Sequence, residues 1–309
     1  MISNSSNWYE KYRPKHVKDV ILPNTYNKFF MDMIDSGECR NLLLYSSTAG
    51  TGKSTIAKAI CTDLNADYLK INASEERGID VLRDQLQRYV LTKSLTNKGK
   101  IIFLDEADKM SDTLQCALKA FIEQYSKNCR FILACNTVNK INIQLQDRLM
   151  PYDFDMRKAE YFNEVKDKIF DRLSKILINE KIQIENEKEI LTLFIEKLYP
   201  SLRNMIKSLQ LYAEMHGKID EGILKYKVID DKLIELVLDG KITEARQFIS
   251  SNNYNYTDVF KKFDESIISK VSRKSEALKS IASWEANASI SSMPEIQIAT
   301  CMIELLECK

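Results

Sequence analysis

A glycine-containing loop between an apolar run and a helical segment constrains this chain more than any other stretch. The loop, residues 46–54, reads Ser-Ser-Thr-Ala-Gly-Thr-Gly-Lys-Ser and follows an apolar run at residues 42–45. Residues 55–60 continue as the start of a helix. A strand, a loop that ends in Gly-Lys-Ser and a helix are together the context of a phosphate-binding P-loop. Ser47 departs from the motif, because a glycine is expected at its position.

The residue types of this loop predict a nucleotide site. Gly50 and Gly52 allow the backbone to turn its N–H groups toward a phosphate, and the following helix adds the positive end of its dipole. Lys53 supplies a mobile positive charge, and Ser54 is a candidate ligand of Mg²⁺. The candidate nucleotide-binding residues of the loop are Ser47, Thr48, Ala49, Gly50, Thr51, Gly52, Lys53, Ser54 and Thr55.

Apolar runs that alternate with helical patterns predict a parallel sheet. The runs at residues 42–45, 100–105 and 130–136 read as buried strands, and residues 68–72 alternate like a shorter strand. Helical patterns lie between these runs, so we expect helices on both faces of the sheet. Ligands of such sheets bind beyond the carboxyl ends of the strands.

Polar residues follow three of these strands. Lys53, Asp105 and Asn136 each come just past a strand end, so we expect them to converge on one site. Asp105 is a candidate Mg²⁺ ligand together with Ser54. Glu106 is a candidate catalytic residue that accepts a proton from an attacking water or orients it. Asn136 is a candidate for positioning that water or sensing the γ-phosphate.

Composition excludes several classes of protein. The 309 residues carry 45 basic and 44 acidic side chains and a net charge of +1, so any binding to nucleic acid has to be local. Two histidines and seven cysteines without a Cys-x-x-Cys pattern predict reduced thiols, with neither a zinc site nor a disulfide framework. Since we find no membrane-spanning apolar run and no signal peptide, we expect a cytoplasmic protein without a membrane partner.

The alternation of strands and helices stops after residue 156. Residues 157–222 carry helical patterns and read as a small helical domain that ends in a linker at residues 217–222. Residues 223–309 read as a second helical domain, whose apolar faces suit a core and a subunit interface. The predicted fold class is therefore α/β plus all-α, with an α/β domain at residues 1–156.

An aromatic and charged arm precedes the first regular element. It reads Trp-Tyr-Glu-Lys-Tyr-Arg-Pro at residues 8–14. One interpretation is a strand-like arm that is packed against the core. The other interpretation is a wall for a nucleotide base, because aromatic and arginine faces stack on purines. Residue spacing alone does not decide between the two.

Four stretches together resemble the AAA+ ATPases, and specifically the ATPase subunits of sliding-clamp loaders. The arm at residues 8–14 is close to the opening motif of replication factor C small subunits. Residues 50–54 match the Walker A motif, and Asp-Glu-Ala-Asp at residues 105–108 matches the Walker B motif. Residues 72–80, Asn-Ala-Ser-Glu-Glu-Arg-Gly-Ile-Asp, are nearly the signature that follows the family's second strand. The short chain and its helical tail are most similar to the phage-type loader ATPase subunit.

The resemblance implies an architecture and further nucleotide contacts. The architecture is an AAA+ P-loop parallel-sheet module, a helical lid at residues 157–222 and a C-terminal helical collar for oligomerisation at residues 223–309. Tyr12 and Arg13 match the adenine-side contacts of ATP. Asn136 matches the first sensor of the family, and Arg203 matches the second sensor, which lies in the lid.

The resemblance also implies contacts outside the subunit's own nucleotide. Arg148 matches the arginine finger, which reaches the nucleotide of the neighbouring subunit. The family usually has Ser-Arg-Cys there, whereas this chain has Asp-Arg-Leu at residues 147–149. Arg77 matches the basic residue that links DNA contact to the Walker B glutamate. Arg83 and Lys109 are candidates for contact with duplex phosphates, and for all these arginines the alternative is a surface ion pair.

The implied function is ATP- and Mg²⁺-dependent loading of a sliding clamp onto primer–template DNA. ATP bound between subunits would hold an assembly that opens the clamp, and DNA-triggered hydrolysis would release it. The implied partners are the clamp, the DNA, homologous copies of the chain and a stator subunit without ATPase motifs, in a 4:1 pentamer. The location would be the host cytoplasm if the chain is viral.

Two alternatives stay open at this point. One is a different AAA+ machine that remodels DNA, such as a helicase loader or a branch-migration motor. It would share the Walker motifs but not the arm or the signature at residues 72–80. The other is a non-catalytic scaffold subunit, against which the intact Lys53, Asp105, Glu106 and Arg148 argue.

Overall fold

A five-stranded parallel sheet is the centre of the first of two compact units. The computed structural model describes residues 7–74, 79–92, 99–224, 231–251, 254 and 256–309. The units are Met1–Ile223 and Leu224–Lys309. The strands of the sheet are β1 (Leu42–Tyr45), β2 (Asp67–Asn72), β3 (Lys100–Asp105), β4 (Cys129–Cys135) and β5 (Met150–Asp153).

The strand order brings the functional strand ends together. The order is β2-β3-β4-β1-β5, and all pairs are parallel. Tyr45 pairs with Cys135, and Asn72 pairs with Asp105, so the last residues of β1, β2, β3 and β4 lie at one edge of the sheet. The inner strands β1, β3 and β4 are almost wholly buried, as expected for apolar runs in a sheet that is covered on both faces.

Helices cover both faces of this sheet, and others follow it. The helices of the first unit are α1 (Trp8–Lys11), α2 (Asn24–Asp35), α3 (Lys53–Asp63), α4 (Ile79–Leu91), α5 (Asp112–Tyr125), α6 (Ile143–Gln146), α7 (Ala159–Asn179), α8 (Glu187–Leu198) and α9 (Leu202–His216). Its 3₁₀ helices are Val17–Asp19, Ala107–Lys109, Val138–Lys140 and Glu221–Leu224, which ends at the first residue of the second unit.

Alternate residues of the strands build two cores. Phe103 and Ile132 lie in the core on the α2 and α3 side, where Ile56 of α3 is fully buried. Phe131 and Leu133 lie in the core on the α4 and α5 side. This period of two follows from the pleat of a β-strand, which turns successive side chains to opposite faces.

The second unit is helical. Its helices are α10 (Asp231–Leu238), α11 (Ile242–Ser251), α12 (Tyr256–Ser266), α13 (Lys274–Ile290) and α14 (Pro294–Glu307), with a 3₁₀ helix at Ile268–Lys270. One apolar cluster joins these helices, and Phe260, Phe263 and Met302 are among its most buried members. Within the described ranges, we find no helix long and apolar enough to cross a membrane.

The predicted class, an α/β module followed by helical segments, is confirmed, but several elements differ from expectation. The arm is not strand-like, because residues 8–11 form the short helix α1. Strand β5 was not predicted, since Met-Pro-Tyr-Asp has no apolar run. The expected linker at residues 217–222 contains β7 (Lys218–Ile219), which pairs with β6 (Gln183–Ile184). The domain boundary at residue 156 stays a prediction.

Candidate nucleotide site

The P-loop lies between β1 and α3, as the sequence predicts. Gly50 and Gly52 have φ angles of +82° and +105°, which residues with a Cβ rarely adopt. Helix α3 begins at Lys53, directly after Gly52. The loop therefore offers the N-terminal amides of an eleven-residue helix to the space in front of it.

Lys53 is held inside its own loop. Its side chain is 8% exposed, and Nζ donates to the carbonyl oxygens of Ser46 at 3.4 Å and Thr48 at 3.2 Å. Burial lowers the pKa of Lys53, and the nearby Arg203 adds to this, while Asp105 is among the groups that oppose it. Neutral carbonyls only partly replace the water lost by a buried ammonium group, so the group is suited to an anionic ligand.

The loop also contains a buried polar atom that suits a ligand. Thr51 Oγ1 is buried and has no hydrogen-bond partner among the residues that the structure describes. Buried polar atoms are rarely left unpaired, so a ligand or water is expected at such a position. Together with the positive φ angles of Gly50 and Gly52, this fits a phosphate group in the loop.

A carboxylate and a hydroxyl meet beside the loop. Ser54 Oγ donates to Asp105 Oδ1 at 2.9 Å, and Lys70 Nζ lies 3.2 Å from Asp105 Oδ2. Carboxylate and hydroxyl oxygens are hard donors of the kind that Mg²⁺ prefers. No group of three or more acidic, histidine or cysteine side chains that could hold a metal occurs in the described part of the chain. The pair therefore fits Mg²⁺ that is shared with substrate phosphates.

Glu106 follows Asp105 in a strained backbone conformation. Its φ is +56° and its ψ is +39°, the left-handed region that costs a residue with a Cβ about 1 kcal/mol or more. The turn points the chain into the 3₁₀ helix Ala107–Lys109 and leaves Glu106 exposed. Such strain is enriched at functional sites, where the surrounding structure holds it in place, although Asn65, Lys181 and Asn186 share the positive φ outside the site.

Asn136 follows β4 at the same edge. Its backbone N–H donates to Oδ1 of the buried Asp108 at 3.3 Å. Asp108 is the second aspartate of the Asp-Glu-Ala-Asp sequence, so the end of β3 fixes the end of β4. Asn136, Glu106 and Asp105 line one cleft together with Lys53.

This cleft encloses about 1260 Å³, including the part open to solvent. It gathers most of the residues that the sequence proposes for nucleotide binding. These lining residues are Tyr12, Arg13, Ala49, Gly50, Thr51, Gly52, Lys53, Ser54, Thr55, Asp105, Glu106, Asn136 and Arg203. Ser47 and Thr48 do not line it. Ser47 Oγ instead accepts from Arg157 Nη2 at 3.0 Å.

The start of α9 contacts the P-loop directly. Ser201 Oγ donates to the carbonyl oxygen of Ala49 at 3.0 Å, and the Arg203 N–H lies 3.5 Å from the carbonyl oxygen of Gly50. A Cβ atom on Gly50 would lie 2.5 Å from Ser201 Oγ. Glycine at this position is therefore required by the close approach of the lid segment as well as by its φ angle.

The arm binds helices of the lid segment. The hydroxyl of Tyr12 donates to Glu180 Oε1 at 2.5 Å, and Lys11 Nζ lies 2.6 Å from the same oxygen. The N–H of Trp8 donates to Gln210 Oε1 at 2.9 Å. The arm is therefore packed against its own unit, as one interpretation expected, although it is helical and not strand-like. Tyr12 lines the cleft, and its role as a wall for a nucleotide base stays a prediction.

Other predicted residues lie away from the cleft. Arg148 binds Glu123 Oε1 through Nε at 2.9 Å and Nη2 at 2.7 Å, and Nη1 donates to the carbonyl oxygen of Gln144. Arg83 on α4 and Lys109 are exposed and do not line the cleft. Arg77 lies outside the described residues.

Several residues of the cleft were not proposed from the sequence, among them the polar residues Arg172 and Tyr199. Arg172 lines it and donates to the carbonyl oxygens of Tyr12 at 3.3 Å and Asp19 at 2.6 Å. Tyr199 lines it with a buried hydroxyl that lacks a partner in the described structure, and burial raises its pKa to about 12. Ser201 contacts the P-loop without lining the cleft, and its place two residues before the predicted sensor Arg203 was the one signal that could have found it.

Two family models match the chain. The model of the ATPase family associated with various cellular activities (AAA) matches residues 43–154. The model of the sliding-clamp-loader large subunit, AAA+ ATPase lid domain, matches residues 162–225. The two matches cover the sheet with its P-loop and most of the lid segment.

Relatives with named functions match along most of the chain. The replication factor C small subunit of Methanococcus maripaludis is 34% identical over 254 residues, 78% of this chain and 77% of that one. The sliding-clamp-loader large subunit of Enterobacteria phage T4 is 31% identical over 271 residues, 86% of this chain and 84% of that one.

A solved structure shares the fold. The RuvB Holliday junction branch migration motor of Thermotoga maritima superimposes with a TM-score of 0.57. It is 16% identical and covers 79% of this chain and 86% of that one. At this identity the likeness concerns the fold alone.

Proposed function

This chain belongs to the sliding-clamp-loader subunits of the AAA ATPase family, and we propose that it binds and hydrolyses ATP to load a sliding clamp onto primer–template DNA. The observation that carries the proposal is the convergence of Lys53, Asp105, Glu106 and Arg203 on one cleft. The lid match and the named relatives supply the clamp-loading role. The expected location is the cytoplasm in which the DNA is replicated.

Each of these cleft residues has a separate role in ATP binding or hydrolysis. Lys53 and the loop amides bind the β- and γ-phosphates, while Tyr12 and Arg13 lie on the adenine side. Ser54 and Asp105 would hold Mg²⁺, which neutralises phosphate charge when it is bound. Glu106 takes the proton of the attacking water.

Two sensors then report on the nucleotide. Asn136 orients the attacking water or contacts the γ-phosphate. Arg203 reaches the phosphates from the lid segment, whose Ser201 already contacts the P-loop at Ala49. The state of the nucleotide is thereby transmitted to α9.

Arg148 acts on the nucleotide of a neighbouring copy. Its position outside its own cleft agrees with this role, and its ion pair with Glu123 has to open before it can reach a neighbour's nucleotide. ATP then holds subunits together, and four copies with one stator subunit form the loader. The collar at residues 223–309 is the oligomerisation segment.

DNA binding is local and independent of base sequence. Arg83 and Lys109 contact duplex phosphates, and Arg77 couples that contact to Glu106. Because the chain has a net charge of only +1, a few such contacts must supply the attraction. Binding should therefore weaken as salt rises, with a slope set by the number of phosphate contacts.

The proposal is tested by the ATPase rate of the assembled subunits. Primer–template DNA and the cognate clamp, added together, should raise the rate above that with either one alone. Duplex DNA without a primer–template junction serves as the control. A rate that responds to neither DNA nor clamp would contradict the proposal, and stimulation by four-way junctions alone would favour a branch-migration motor.

A further inference from the structure

Lys70 on β2 contacts the carboxylate that ends β3. Its Nζ lies 3.2 Å from Asp105 Oδ2, and the same atom lies 5.8 Å from the centre of the Phe103 ring. Lys70 pairs with Phe103 across the two strands. The lysine side chain therefore passes over this buried ring toward the strand end and brings its charge to Asp105.

Both oxygens of Asp105 are engaged. Oδ1 accepts from Ser54 Oγ at 2.9 Å, and Oδ2 faces the Lys70 ammonium group. The side chain of Asp105 is 18% exposed, while that of Lys70 is 38% exposed. The candidate metal ligand thus already has a positive partner that is supplied by its own chain.

Other positive groups act on the region around Asp105 and Lys70. Burial lowers the pKa of Lys58 on α3, and the charges of Arg13 and Lys70 lower it further, while those of Glu10 and Asp105 oppose them. A second cation beside Asp105 therefore has to overcome repulsion from several groups. For two unit charges this repulsion falls with distance, so Lys70, in direct contact with Asp105, contributes most.

We propose that Lys70 is a resident counter-charge on Asp105 that weakens Mg²⁺ binding until nucleotide phosphates are present. The inference rests on the proposed function of the cleft as a Mg²⁺–ATP site. Without nucleotide, the ammonium group offsets the carboxylate and disfavours a bound divalent ion. The phosphates add negative charge, and the metal then binds together with its substrate.

The test is a Mn²⁺ titration of the full chain followed by electron paramagnetic resonance, once without nucleotide and once with a saturating, slowly hydrolysed fluorescent ATP analogue. The readouts are the free Mn²⁺ concentration at half-maximal binding in each state, while the fluorescence confirms that the analogue is bound. Lys70→Gln should lower the midpoint without nucleotide about three- to fivefold, the size expected for one partly exposed charge pair, and should change the midpoint with the analogue less. Lys70→Arg keeps the charge and should keep the wild-type midpoint.

Lys58→Gln is the matched control, because it removes another positive charge that acts on Asp105 and leaves the Lys70–Asp105 contact in place. Equal midpoints for Lys70→Gln and wild type would overturn the inference, as would an equal shift in Lys58→Gln. Both results leave the proposed function intact if wild type binds the analogue and Lys53→Ala does not. If wild type itself binds no nucleotide, the proposed function and this inference fail together.

Discussion

At the residue scale, Lys53 and Glu106 are held in different ways. Lys53 is buried and fixed by the carbonyl oxygens of Ser46 and Thr48, so it is part of the loop's own structure. Glu106 is exposed and sits on a left-handed backbone position. Lys53 is thus part of the packed loop, whereas Glu106 lies on the solvent side of the cleft.

Their substitutions should separate binding from turnover. Lys53→Ala should abolish productive ATP binding, because the buried charge that faces the phosphates is lost. Glu106→Gln keeps the shape of the side chain and should preserve ATP binding while turnover falls about 10²–10⁴-fold, the usual contribution of a general base. Equilibrium binding of ATP and the steady-state ATPase rate measure the two effects. Near wild-type turnover by Glu106→Gln would exclude it as the base.

Much of the site was predictable from sequence, because its residues follow strand ends at motif spacing. Lys53, Asp105 and Asn136 line one cleft, as the parallel-sheet rule predicts. The cleft residues Arg172 and Tyr199 were not predictable. They come from helices distant in the chain, and neither stands in a pattern that marks it as a ligand contact.

At the scale of elements, the contact between the P-loop and α9 helps to position the lid segment, residues 157–222. Gly50 has no room for a side chain, since a Cβ would lie 2.5 Å from Ser201 Oγ. Gly37 also has a positive φ, of +70°, but no described residue other than its chain neighbours comes within 4 Å of its Cβ position. Alanine substitutions at the two glycines can therefore distinguish the cost of a positive φ from the cost of a close contact with the lid segment.

Gly50→Ala should cost more stability than Gly37→Ala. The Gly37 variant should lose about 1–2 kcal/mol of unfolding free energy through its backbone alone. Gly50→Ala adds the clash with the lid segment, and Ser201→Ala in the same chain should restore part of that loss. Denaturant unfolding of the single and double variants measures this. Equal losses at Gly37 and Gly50, without rescue, would mean that α9 does not press on the loop.

The arm and α7 form a second such contact, and it should depend on pH. Burial raises the pKa of Glu180, but the hydrogen bonds from Lys11 and Tyr12 outweigh it and leave the pKa below its usual value. A carboxylate with a lowered folded-state pKa stabilises the fold above its unfolded pKa, near pH 4. That stabilisation is lost as the pH falls through the folded value.

Trp8 reports on the arm, because it is 7% exposed in the folded chain. In a Trp284→Phe background its emission should shift to longer wavelength as the pH falls below 4. Glu180→Gln should show a partly shifted emission at neutral pH and little further change on acidification. If Glu180→Gln follows the pH profile of its parent, the contact does not hold the arm.

The elements differ in how well the sequence predicts them. Buried strands such as β3 and long helices such as α7 have clear patterns, and the observed bounds of β3 agree with prediction. Strand β5 contains Pro151 and lacks an apolar run, so only its pairing with β1 reveals it. Helix α1 is a single turn, too short for any periodicity, and its place is set by contacts with α9.

At the scale of the whole molecule, the central claim is that two copies of this chain build one catalytic site. The cleft supplies Lys53 and Glu106, whereas Arg148 is paired with Glu123 away from it. The ion pair is partly exposed, with 33% and 49% of the two side chains accessible, so releasing Arg148 should cost little. A neighbour's nucleotide can therefore compete for it.

Mixing two inactive variants tests this claim most directly. Arg148→Ala keeps its own cleft but offers no finger, while Lys53→Ala cannot use nucleotide but still presents Arg148. Each alone should be nearly inactive, because an arginine finger contributes about 10³–10⁵ in rate in related sites. The measurement is the ATPase rate of assemblies with the stator subunit against mixing ratio, after gel filtration confirms that mixed assemblies form. Activity should return at intermediate ratios, where an intact Lys53 meets an intact Arg148. A flat line at the background of the single variants would contradict the shared site.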